Sequence, residues 1–145
     1  MKGVEYLLLF FCEGREMPSQ ISVQPSLLDL LLYAGDGIKF KLICTNNADP
    51  PEPVVITGDV AAQIRVDRQS ADPPLAEFSS DMTTADVGEI ILSLTGDQTR
   101  NLMDGPGLVK GKFVGVWDVQ WTADGAEPRT ICQGKVECAA DVTRP

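Results

Sequence analysis

Short runs of alternating apolar and polar residues recur along the chain, the period-two pattern of strands with one buried face. In residues 88–99, GEIILSLTGDQT, Ile90, Leu92 and Leu94 alternate with Glu89, Ile91 and Ser93. The period then changes. Thr95 with Gln98 three residues on has capping-box spacing, and Asp104-Gly105 supplies a stop, so a short helix is predicted over residues 95–104. Ile38, Phe40, Leu42 and Cys44 alternate with Lys39, Lys41, Ile43 and Thr45, and Ala62, Ile64 and Val66 share a face opposite Gln63 and Arg65. Residues 113–121 form the second strong strand, with Trp117, Val119 and Trp121 opposite Val116, Asp118 and Gln120. Aromatics so placed anchor a core.

Weaker signals fill the gaps. The apolar run LLDLLLY at residues 27–33 reads as a strand or a helical turn, broken by Gly35-Asp36-Gly37. Residues 76–82 are a weak strand around Phe78, and Asp124-Gly125 marks a hairpin turn into a last strand over residues 130–142, where Gly134 is a candidate bulge. Proline-bearing loops are expected at residues 46–53 and 67–74, and an extended arm at residues 18–26. Seven or eight short strands with one helical turn predict an all-β, two-sheet antiparallel sandwich, with a closed barrel as the alternative.

Composition narrows the chemistry. The 145 residues fit one domain, long enough to bury roughly two thirds of the unfolded surface. Twelve Lys and Arg against 21 Asp and Glu give a formal charge of −9 with no basic cluster, which disfavours nucleic acid as a partner. The absence of histidine removes the usual general base and the commonest nitrogen ligand for zinc. There is no G-x-S-x-G, Walker or H-E-x-x-H motif, and the glycines of GPGLVKG (Gly105, Gly107, Gly111) miss the dinucleotide spacing by one place. No catalytic, cofactor or metal residues are therefore assigned, and the expectation is a protein that is not an enzyme. Four cysteines, among them Cys44, Cys132 and Cys138, lack zinc-site spacing and are expected as reduced thiols.

The first sixteen residues, MKGVEYLLLFFCEGRE, differ from the rest. Their apolar run is near the lower limit for a signal peptide, lacks a small-residue cleavage site, and is far short of the about 20 residues that cross a bilayer. Residues 13–16 can be encoded by purine-rich codons, so residues 1–16 are expected to be a mis-called start or disordered leader ahead of Met17. An arm and first strand follow over residues 17–32, and a sandwich domain over residues 33–145.

Taken in order, YAGDGIKFKL, AAQIRVD, GEIILSLTGDQT, VWDVQW and TICQGKVECAADVTR resemble the N-terminal β-sandwich domain of siphophage upper baseplate proteins. They resemble more closely the small sandwich proteins encoded among actinobacterial phage tail genes. The likeness runs from Tyr33 to Arg144 and rests on Gly35-Asp36, on Ala62 to Arg65, on Gly88, Ile90, Leu92, Leu94, Thr95, Gln98 and Thr99, on Trp117 to Gln120, and on Gly134 to Val136 with Asp141 to Thr143. It implies an Ig-like, baseplate-type sandwich that docks to other tail or baseplate subunits in several copies around the tail axis. The protein would be made in the bacterial host cytoplasm and reside in the virion, with neither membrane nor nucleic acid as partner. The larger upper baseplate proteins continue into a linker and a receptor-facing part that this sequence does not contain, so receptor binding is not among the expectations.

Three further readings are weighed. A capsid decoration or head protein would use the same type of fold. A carbohydrate-binding module would stack sugars on Trp117, Trp121 or Tyr33, although the shared face of the tryptophans favours a core. Asp36, Asp118 and Asp141 could be imagined as a calcium site, but no chelating spacing gathers them. Asp36 is expected to shape its turn and Asp118 to be a polar outer-face residue, with Arg65 able to pair with either. For assembly, the candidate interface residues are Pro18, Pro25, Pro50, Pro51, Pro53, Pro73 and Pro74, because prolines lower the entropy cost of ordering a loop on docking.

Overall fold

The computed structural model describes the backbone of residues 5–10 and all of residues 25–45, 50 and 52–140. Among the described residues eleven strands appear in chain order: β1 (Glu5–Phe10), β2 (Ser26–Leu27), β3 (Leu30–Tyr33), β4 (Ile38–Thr45), β5 (Asp59–Arg65), β6 (Ala76–Glu77), β7 (Ser79–Asp81), β8 (Glu89–Leu94), β9 (Leu108–Val109), β10 (Lys112–Thr122) and β11 (Arg129–Ala139). A 3-10 turn (Ala85–Val87) precedes β8 and one helix, α1 (Gly96–Leu102), follows it. One sheet runs β1-β4-β8-β7; the other runs β2-β11-β10-β5-β6, with β3 also on β11 and β9 on β10. The all-β, two-sheet expectation holds. The strand number exceeds seven or eight because pieces of two or three residues, such as β2, β6, β7 and β9, are too short to show a period.

Alternation decides which side chains meet between the sheets. Phe40, Leu42 and Cys44 of β4 and Ile90, Leu92 and Leu94 of β8 line one inner face. Val60, Ala62 and Ile64 of β5, Trp117, Val119 and Trp121 of β10, and Val136 and Cys138 of β11 line the other. The two layers are joined by an aromatic triad. The Trp117 ring lies 5.8 Å from Phe40, edge to face, and 5.5 Å from Phe78, with Phe40 and Phe78 themselves 5.9 Å apart. Such pairs contribute about 0.5–1.5 kcal/mol beyond the area they bury.

Phe78 also marks where the chain changes sheet. β6 pairs with β5 on one side of it, and β7 pairs with β8 in the opposite layer on the other. What reads as one weak strand over residues 76–82 is therefore two, because a strand that swaps layers keeps its alternation while changing its partner.

The edges depart from purely antiparallel pairing. β2 and β3 run parallel to β11, and β1 runs parallel to β4. Residues 34–37 carry the chain from β3 across to the other layer, so no hairpin forms there and β3 takes a neighbour pointing the same way.

Between β2 and β3 the Leu28 carbonyl turns inward to accept a 2.7 Å hydrogen bond from the Trp117 indole N–H. A Cβ on Gly134 would lie 1.8 Å from that oxygen, so only glycine fits. Gly134 is not the bulge expected from sequence: it pairs in regular register with Trp117. The irregularity falls three residues earlier, where Val119 faces Cys132 and Gln120 faces Thr130, leaving Ile131 unpaired. That slip lets Ile131 and Cys132 both enter the core.

The predicted helix is present with its cap. Thr95 Oγ1 accepts from the Gln98 N–H at 3.1 Å, and Gln98 Oε1 accepts from the Thr95 N–H at 2.8 Å. Buried Thr99 ties the helix to the β3–β4 turn, its hydroxyl accepting from Gly35 N–H and donating to the Asp36 carbonyl, each at 3.0 Å. The Cys44, Cys132 and Cys138 side chains are buried. Burial pushes Cys132 up to about 12, and burial with the nearby Asp36 charge pushes Cys138 up to about 11.

Candidate functional site

The outward faces of β5, β10 and β11 build a chemically varied surface. Cross-strand register sets its rows: Leu31, Glu137 and Val114; then Lys135, Val116 and Arg65; then Leu27, Gln133, Asp118, Gln63 and Glu77. Gln120 continues the face beside Ala61.

The β5 half of this face is a groove of about 480 Å³, walled on one side by the loop after β5, which contributes Arg68, Ser70 and Ala71. Arg65, Gln63, Asp118 and Gln120 form its floor. Both guanidiniums are braced. Arg65 donates to Gln63 Oε1 at 3.0 Å and to the Asp72 carbonyl, and Arg68 donates to Gln133 Oε1 at 2.7 Å. Among the described residues none donates a hydrogen bond to the Asp118 carboxylate. Burial raises its pKa above the usual aspartate value, partly offset by the charges of Arg68 and Arg65.

The β3 half mixes exposed apolar side chains with Lys135 and Glu137. Leu27 is 77% exposed, Leu31 62%, Tyr33 46% and Val114 37%, on strands that are neighbours through β11. Leu27, Leu31 and Tyr33 face outward because the run LLDLLLY carries apolar residues on both faces: its inward set includes Leu32, while its outward set is exposed among the described residues.

The sequence-derived candidates are scattered over the fold. Trp117 and Trp121 are 1% and 3% exposed, with indole N–H groups donating inward to the Leu28 and Thr57 carbonyls, so neither can stack on a ligand. Tyr33 is on the β3 half of the outer face. Asp36 lies in the β3–β4 turn near Cys138, whereas Asp118 faces Gln133. Five residues of β11 separate those reference points, about 16 Å at 3.3 Å per residue, so the two aspartates share no site. Asp141 lies outside the described residues, as do Pro18 and Pro51. Pro25 is half-buried ahead of β2, Pro50 is exposed, and Pro53 is exposed and bridged to Thr45. Pro73 is exposed and Pro74 half-buried where the groove loop enters β6.

No protein-family model and no curated protein matches this chain. Among solved structures it is similar to the N-terminal domain of phage TP901-1 ORF48, at 10% identity and a TM-score of 0.42, over 95% of this chain and 98% of that one. It is also similar to the bradyzoite-specific antigen BSR4 from Toxoplasma gondii, at 12% identity and a TM-score of 0.39, over 97% of this chain but 51% of the antigen. A third likeness is to a Listeria monocytogenes internalin-like protein, at 16% identity and a TM-score of 0.33, over 81% of this chain and 28% of that protein.

Arg68 and Ser70 are the groove residues that the sequence reading missed. In sequence their loop is marked only by its prolines, and nothing local says that it folds back over β5 and β10. Among the described residues no group of three or more acidic, cysteine or histidine side chains is gathered as metal ligands, and no helix is long and apolar enough to cross a membrane.

Proposed function

We propose that this chain is a non-enzymatic structural protein of a phage virion, a minor tail or baseplate component present in several copies. It docks to neighbouring subunits through the β3 half of the outer face of its seven-stranded sheet. The ordered motifs between Tyr33 and Arg144 support the phage reading, and the exposed Leu27, Leu31, Tyr33 and Val114 on one face support docking. Apolar side chains left exposed on one face gain by association, and burying a leucine fully contributes about 1.5–3 kcal/mol. The aromatic triad and the paired edge strand hold this face rigid, so little ordering entropy opposes association.

The test is incorporation. Mass spectrometry of washed particles from the producing phage should detect the protein, and Leu31→Asp with Tyr33→Ser should abolish incorporation while the purified variant melts at the wild-type temperature. Consistent absence from washed virions ends the reading. Labelling of the shell rather than the tail by immunogold would move it to the head.

A further inference from the structure

We propose that the groove between β5, β10 and the loop after β5 binds a small acidic saccharide, through a carboxylate on Arg68 and vicinal hydroxyls on Asp118. This goes beyond the docking role, which uses the β3 half of the same face. The groove's volume of about 480 Å³ lies within the roughly 300–1,000 Å³ of small-molecule sites and is too large for a lone inorganic ion.

Its chemistry is complementary to such a ring. Arg65 and Arg68 against Asp118 leave the lining with a net positive charge on a chain whose overall charge is −9, so an anion is favoured here and opposed over most of the surface. Arg68 uses Nη1 on Gln133, and the remainder of its fork is available for a carboxylate. The Asp118 oxygens accept no hydrogen bond from another described residue, and a half-buried acceptor of that kind calls for donors that a simple carboxylate ligand lacks. Paired hydroxyls supply them, while Gln120 and Ser70 offer neutral donors and acceptors at the rim. With both tryptophans sealed in the core the groove has no aromatic platform, so millimolar affinity is expected.

The test is an amide chemical-shift titration of the full chain with three probes: methyl glucuronoside, methyl glucoside and acetate. The glucuronoside should shift the amides of residues 63–70 and 116–120 saturably, with the other two probes about tenfold weaker or worse. Arg68→Gln and Asp118→Asn, both at outward positions and checked for wild-type spectra away from the groove, should each weaken glucuronoside binding about tenfold. No saturable shift at tens of millimolar overturns the proposal. So does acetate binding as well as the glucuronoside, which would mean a plain anion site, or the glucoside doing so, which would remove any role for the guanidiniums. Wild-type binding by both variants would place the ligand elsewhere and equally overturn it.

Discussion

The two faces of β10 share one backbone and have opposite fates. Inward, Trp117, Val119 and Trp121 are sealed, with both indole N–H groups satisfied by carbonyls. Outward, Val116, Asp118 and Gln120 line a groove whose polar groups are only partly engaged. The inner face is fixed by packing, where every atom has a neighbour and a change is felt at once. The outer face is fixed by cross-strand hydrogen bonds and one loop, so substitutions there alter what is recognised while leaving the fold in place.

The sharpest way to break this contrast is Trp117→Ala. It removes the centre of the aromatic triad and orphans the Leu28 carbonyl, and should destabilise by about 3–5 kcal/mol in denaturant melts. Gly134→Ala attacks the same joint from β11 and should cost about 1–3 kcal/mol by overpacking. Its signature is faster hydrogen exchange at residues 30–33, because the displaced Leu28 carbonyl loosens β2 and β3 first. Thr95→Ala removes the helix cap and should cost about 1 kcal/mol. Gln120→Ala, outward on β10, should stay within about 0.5 kcal/mol of wild type. A loss as large as that of Thr95→Ala would show that the outer face is structural after all.

The Cys132 thiol offers a pH test of the inner face. Its ordinary value of 9.0 is pushed up to about 12 in the fold, so the folded state holds the proton that the unfolded chain releases. That contribution to stability is fully present below about 9 and is lost as pH rises through 12. Melting temperature should therefore fall across this window, and Cys132→Ala should flatten part of the decline. At pH 8 the folded protein should resist thiol-modifying reagents at this position until it is unfolded.

Much of the sandwich was legible before any coordinates. The strands carrying Phe40, Ile64, Leu92 and Trp117 announce themselves because one face must be dry, and the Thr95–Gln98 box is a local signal that no distant contact can override. Three features were not legible for a common reason: each depends on a partner far away in sequence. The run at residues 27–33 is apolar on both faces, so it gives neither orientation nor parallel pairing. Gly134 reads as a bulge until the Leu28 carbonyl is seen pressing on it. Asp118 and Arg68 lie fifty residues apart, and only the folding back of the loop after β5 makes them walls of one groove.

The change of layer at Phe78 has a mechanical consequence. With a single continuous segment hydrogen-bonded into both sheets, that side of the sandwich has no seam along which the layers could slide or part. Shear applied to one layer is carried to the other through covalent bonds. A sandwich of this kind carries load from one sheet to the other without opening its interior to water.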